Sequence, residues 1–165
     1  MNKYITIAII LSITAILYSC KHDDRDVDQE MAELKEFILK KEAEGLNIDT
    51  AGTGIFYILK NEGAGPTPQQ GDTCFIEYQC YSLNDRLIEQ SLDIYPPNGI
   101  WKFIFAPDDM IQGLRTGINL MNAECEMDII IPSNLAFGKA GTANIPPYTT
   151  LIYVVKMYDV RVRNN

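Results

Sequence analysis

Residues 124–131 read Glu-Cys-Glu-Met-Asp-Ile-Ile-Ile. In an extended chain, successive side chains point to opposite faces. Cys125, Met127, Ile129 and Ile131 therefore share one face, against Glu124, Glu126 and Asp128 on the other. Such a segment predicts a strand that is buried on one side and wet on the other, as in antiparallel sheets. The same period runs through residues 73–83, where Cys74, Ile76, Tyr78 and Cys80 oppose Glu77 and Gln79. It returns in residues 151–162, with Leu151, Tyr153, Val155 and Met157 together. Residues 100–105 group Trp101, Phe103 and Phe105, and residues 54–60 predict a further strand before a turn-rich stretch at 61–68.

Two segments carry the helical period instead. Over residues 110–121, Ile111, Leu114, Ile118 and Met121 recur at helical spacing, with Asp108 or Asp109 available as a cap. A sheet with one apolar face needs a cover, and this short helix supplies it. Over residues 26–44, Val27, Met31, Leu34, Phe37 and Ile38 form a narrow stripe, closed by Gly45. The stripe is expected to pack on the domain rather than on a second copy, so a monomer is expected. The class is α+β.

Before this lies Met1-Asn2-Lys3, an apolar run over residues 4–18, and Leu17-Tyr18-Ser19-Cys20. An early cation, an apolar stretch and a small residue before the cut describe a signal peptide. With Cys20 next, the segment resembles a bacterial lipobox. An uncleaved anchor is the other reading, but the run is shorter than the roughly 20 residues a spanning helix needs. The expected division is a lipoprotein signal peptide over 1–19, a tether and helix over 20–50, and the domain over 51–165. The expected place is the cell envelope, with lipid on Cys20 holding the chain to a membrane, on the periplasmic or surface face of an outer membrane. Lys21-His22-Asp23-Asp24 is similar to the acidic surface-export signals of some Gram-negative lipoproteins.

The 165 residues are 47% apolar, enough for one cored domain. With 14 basic and 22 acidic side chains the net charge is −8, and loss of residues 1–19 removes only Lys3 to leave −9. Such a surface repels phosphates, which argues against nucleic acid as a partner. Beyond Cys20, three cysteines remain, Cys74, Cys80 and Cys125. Cys74 and Cys80 would stand roughly 20 Å apart on one strand, so buried free thiols are expected, with a bridge from Cys125 as the other reading. The only His is His22, and no His/Cys spacing suggests a metal site.

No His falls in the domain, so Ser–His and Cys–His pairs are excluded there. No phosphate-cradling loop appears. What stands out is aromatic: Tyr78, Trp101, Phe103, Phe105, Phe137 and Tyr153. Phe103 and Phe105 read as core. Trp is seldom fully buried, and Trp101, close after Pro96-Pro97-Asn98-Gly99, is placed either in the core or on the floor of a pocket.

The chain from about residue 54 to 162 resembles the FKBP-type peptidyl-prolyl isomerases. The resemblance runs through Gly71-Asp72-Thr73-Cys74 with Glu77-Tyr78, then Trp101-Lys102-Phe103, then Met110-Ile111-Gln112-Gly113-Leu114 with Gly117. It continues through Ile131-Pro132, Ala136-Phe137-Gly138, Ile145-Pro146-Pro147 and Thr150-Leu151. It implies an antiparallel sheet of five or six strands curled around one short helix, and a shallow aromatic pocket that accepts a proline. It makes Trp101 an aromatic wall and Leu114 the floor, with Tyr78 and Glu89 on the polar side. Ile88, Met110, Ile111, Phe137, Ile145 and Tyr153 complete the lining. It implies no cofactor or metal, and proline-containing polypeptides as clients. Three positions depart from the family's usual residues: Glu89 for Asp, Phe137 for Tyr and Ile88 for an aromatic. Weakened catalysis is expected, and a binding or chaperone module without turnover is the alternative.

Overall fold

The computed structural model describes residues 26–52, 54–106 and 110–164. The expected signal peptide, Cys20, His22 and the caps Asp108 and Asp109 lie outside the described residues. The strands are β1 (Asp49–Thr50), β2 (Phe56–Asn61), β3 (Thr73–Ser82), β4 (Leu87–Gln90), β5 (Trp101–Ile104), β6 (Glu126–Ile131) and β7 (Leu151–Arg161). The helices are α1 (Val27–Ala43), α2 (Ser91–Ile94) and α3 (Gln112–Ile118), with a 3-10 turn at Ser133–Leu135.

All strand pairs are antiparallel, in the order β1-β2-β6-β7-β3-β4, with β5 also on β3. The sheet thus has seven strands, where five or six were expected. The additions are β1 and β4, two short edge strands. β4 holds four residues, with Leu87 and Glu89 exposed, too little buried surface to leave a period in the sequence. One edge of β3 is shared: Thr73–Ile76 pair with β5, and Gln79–Tyr81 with β4. Between the two ladders the chain leaves the sheet through α2, and the aromatic residues gather at this gap.

The inner face of the sheet carries the main core, including Ile76, Cys80, Met127, Ile129, Ile131 and Val155. Helix α3 covers it through Leu114 and Ile118. The helix lies so close that a Cβ on Gly113 would stand 2.2 Å from Ile131 Cγ2, and one on Gly117 2.4 Å from Ile129 Cδ1. It is shorter than the expected 110–121, because Ile111 already stands in an extended conformation.

The expectation of a single apolar face needs correction. Leu34 of α1 forms a second buried cluster with Ile58, Ile130 and Ile152 on the opposite face. That is why Ile129, Ile130 and Ile131 are all buried in a row. Asp26 caps α1 by accepting from the Gln29 N–H at 2.9 Å, and Asp28 lies in its first turn. At its end, Leu46 N–H donates to Lys41 O and Gly45 N–H to Glu42 O, with Gly45 at φ +87°. These paired bonds form a Schellman cap. Val27 and Met31 are exposed. The buried line of the helix is Glu30 and Leu34, flanked by half-buried Phe37 and Ile38.

Cys74, Cys80 and Cys125 are free and buried, as expected. Loss of water pushes the thiols of Cys74 and Cys80 up to about 12. Among the described residues no helix is long and apolar enough to cross a membrane.

Candidate functional site

The site is set by strand register. On β3, the inward period of two aims Tyr78 into the core. Pairing of Ile76 with Trp101 brings the indole beside it, and the rings meet edge-on at 6.0 Å and 64°. Pairing of Cys80 with Tyr153 brings a second phenol to 5.6 Å from the Tyr78 ring. Phe103, two residues along β5, lies 4.3 Å from the Trp101 centroid. Tyr95, from the segment after α2, stacks on the indole with centroids 6.1 Å apart and planes at 5°. The result is a row of rings, Tyr95–Trp101–Tyr78–Tyr153. Trp101 is half-buried, neither sealed in the core nor free in solvent.

The remaining expected apolar residues belong to the main core or pack against it. Leu114 and Ile145 are buried in the same cluster, while Ile88, Met110, Ile111 and Phe137 are half-buried against it. Glu89 is exposed, and it joins the group by accepting from the Tyr78 hydroxyl at 3.2 Å. Burial and then the Glu89 charge raise the Tyr78 phenol above its ordinary range. Burial, Cys80 and Glu89 do the same for Tyr153. Both phenols therefore keep their protons at neutral pH, as hydrogen-bond donors.

Two further contributors join the row in the folded chain. Ser91 is fully buried, and its Oγ accepts from the Tyr78 N–H at 3.0 Å. Tyr78 lies in the gap between the β4 and β5 ladders, so its N–H has no strand partner on that edge and Ser91 satisfies it. A lone Ser in a loop carries no signal of this. Tyr95 is the other: an aromatic just before Pro96-Pro97 and six positions from Trp101 is the signal in the sequence that marks it.

The segment 132–150 bears Phe137 and Ile145. It is tied within itself: Gly138 N–H donates to Ser133 O at 2.8 Å, Gly141 N–H to Phe137 O at 3.1 Å, Thr142 N–H to Ile145 O at 2.8 Å and Tyr148 N–H to Gly138 O at 3.0 Å. Gly141 sits at φ +59°, and a Cβ there would stand 2.3 Å from Ile145 O. Only glycine permits that turn.

A separate groove of about 590 Å³ lies between α1 and the β3–β4 turn, lined among others by Phe37, Lys40, Leu83, Arg86 and Pro146. It meets the 132–150 segment but not the row of rings, and its charged walls suit a pyrrolidine ring poorly. Among the described residues, no group of three or more His, Cys, Asp and Glu could hold a metal ion. The row offers an apolar, aromatic surface with one polar flank. It can desolvate and orient a ligand, and it holds no nucleophile–base pair.

Residues 65–158 match the family model described as FKBP-type peptidyl-prolyl cis-trans isomerase. The chain belongs to that family. FKBP-type relatives are found in several bacteria. One is the FKBP-type peptidyl-prolyl cis-trans isomerase FkpA of Escherichia coli K12, 28% identical over 138 residues, or 84% of this chain and 49% of the relative. Another is a probable FkpA of Neisseria meningitidis, 30% identical over 132 residues, or 79% of this chain and 46% of the relative. The chain thus spans about half the length of the curated relatives it matches. The crystal structure of FkpA from Escherichia coli superposes with a TM-score of 0.71 at 24% identity, covering 98% of this chain and 74% of that one. A peptidyl-prolyl cis-trans isomerase structure from Pseudomonas syringae gives 0.68 at 19% identity, covering 84% and 98%. These likenesses establish the FKBP fold.

Proposed function

We propose that this FKBP-family chain is a peptidyl-prolyl cis-trans isomerase or folding helper for proline-containing polypeptides of the cell envelope, tethered by lipid at Cys20. The observation that carries the reading is the half-buried Trp101 ring, flanked by Tyr95, Phe103 and Tyr78, in the cluster that holds Leu114, Phe137 and Ile145. In this reading Trp101 walls a shallow pocket floored by Leu114, and Ile88, Met110 and Ile111 line its rim with Tyr153. Ile145 and Phe137 close it from the 132–150 side.

The chemistry suits such a surface. Rotation about an X–Pro bond meets a barrier of roughly 18–20 kcal/mol that comes from amide resonance. No bond is broken, so neither nucleophile nor cofactor is required. An apolar cleft that strips water from the amide and fits the twisted form best lowers the barrier by differential binding. The Tyr78 hydroxyl, held by Glu89, supplies the polar flank beside the turning carbonyl.

A second reading is a binding module without turnover. Phe137 favours it, since it carries no hydroxyl to donate to a bound carbonyl, and so does the exposure of Glu89. Exchange NMR on one X–Pro peptide separates the two. Isomerisation above the uncatalysed rate, lost in Trp101→Ala, is the expected result. Peptide binding without rate enhancement would leave the binding module.

A further inference from the structure

Helix α1 lies outside the stretch that matches the family model, residues 65–158, yet it sends one carboxylate into the domain. Glu30 is 3% exposed. Its Oε1 accepts from the Ser133 N–H at 2.6 Å and from Thr150 Oγ1 at 2.6 Å, and its Oε2 from Ser133 Oγ at 2.5 Å. Burying a carboxylate is costly unless such donors replace its water, and bonds to an ionised acceptor are short and strong.

The placement of these donors matters. Ser133 and Thr150 stand at the two ends of the segment that carries Phe137 and Ile145. One carboxylate therefore bridges both ends. From Ser133 the ties run onward: its carbonyl accepts from Gly138 N–H, and the Gly138 carbonyl accepts from Tyr148 N–H. Phe137 precedes Gly138, which both ties share, and Ile145 lies within the loop that the second one closes. Leu34, one turn further along α1, is buried against Ile58, Ile130 and Ile152, so the helix that holds Glu30 is itself fixed to the sheet.

We infer that Glu30 is a positioning residue: it holds shut the base of the 132–150 segment, so that Phe137 and Ile145 stand pre-set against Trp101 and Tyr78. A face ordered in advance binds without the cost of ordering it. The kinetic half of this inference rests on the isomerase function proposed above, and the structural half does not.

The test uses the full chain and Glu30→Ala. Amide hydrogen exchange at Gly138, Gly141 and Tyr148 is expected to quicken by about ten-fold, while β3 and β7 keep their protection. With an X–Pro peptide, KM is expected to rise about ten-fold with kcat nearly unchanged, since the loosened segment must then be ordered when the peptide binds. A role in overall folding alone predicts the opposite split, a lower apparent kcat at constant KM, and that result overturns the inference. So does unchanged exchange across 136–148. If the parent chain proves inactive, the isomerase reading fails and exchange still decides the clamp. Should Glu30→Ala not fold, Ser133→Ala and Thr150→Val each remove one donor and keep the helix. Faster exchange in both supports the clamp, and parent-like exchange in both refutes it.

Discussion

The Tyr78 hydroxyl donates to Glu89 Oε1 across 3.2 Å, tying the central strand β3 to the edge strand β4. Glu89 is exposed, so the bond does little for the fold. Its consequence lies in aiming the phenol. Tyr78→Phe is expected to lower kcat/KM on an X–Pro peptide by about ten-fold, the equivalent of one hydrogen bond to a charged group. Unfolding by urea should be nearly unchanged. Equal rates in the variant would remove the phenol from the mechanism.

Phe137 packs against the main core with a side chain that carries no polar atom. Phe137→Tyr would offer a hydroxyl at the segment that closes the proposed pocket. A well-placed donor to a developing charge is worth about ten-fold or more, so kcat/KM is expected to rise by roughly that factor. No change, measured in the same exchange assay, would leave desolvation as the sole source of catalysis.

Gly117 faces Ile129 with no room for a side chain. An alanine there gains about 1 kcal/mol of helix propensity but forces the helix off the sheet. Overpacking of this kind costs about 1–3 kcal/mol, and the clash involves three Ile129 carbons rather than one flexible end, so the loss wins. Gly117→Ala is expected to lower the urea midpoint without changing the slope, with Gly113→Ala behaving alike. A midpoint equal to or above the parent's would contradict the close approach of α3.

Cys74 and Cys80 are fully buried, and desolvation raises both thiols to about 12. In the unfolded chain they titrate near the ordinary value of about 8.5. The unfolded state therefore releases protons first as pH rises, so these thiols stabilise the fold fully below pH 8.5. That contribution is lost between there and about 12 at about 1.4 kcal/mol per thiol per pH unit. Urea midpoints are expected to fall from pH 8 to pH 10, and Cys80→Ala should flatten the fall. Thiol reagents at pH 8 should react only at the unfolding rate. Rapid labelling of the native protein would show that the thiols are open to water.

Much of the architecture was legible because strand and helix periods are local. Cys125, Met127, Ile129 and Ile131 announced their face, as did Tyr78 and its neighbours on β3, and all are buried. The candidate site residues are named from the order and identity of motifs; the structure puts the apolar ones in or against the main core and joins Glu89 to Tyr78 by a hydrogen bond, and their role at a site belongs to the proposal. What escaped were short elements with little buried surface, β1, β4 and α2, and the second apolar face under α1. Ile130 and Ile152 lie on that second face, and nothing near them in the chain says what covers them.

Sequence alone determined which residues alternate inward, that residues 26–44 carry a helix and that a shorter one follows Met110, and which aromatic groups were available to one face, since each follows from neighbours a few positions apart. Tertiary structure alone decided that Tyr95 stacks on Trp101, that Ser91 fills the gap beside Tyr78, and that Glu30 meets Ser133 and Thr150 across 103 and 120 positions of chain. A glutamate on a charged helix looks solvated from its neighbours. It becomes a buried acceptor only when folding delivers donors from the far end of the sequence and removes the water that would otherwise serve it.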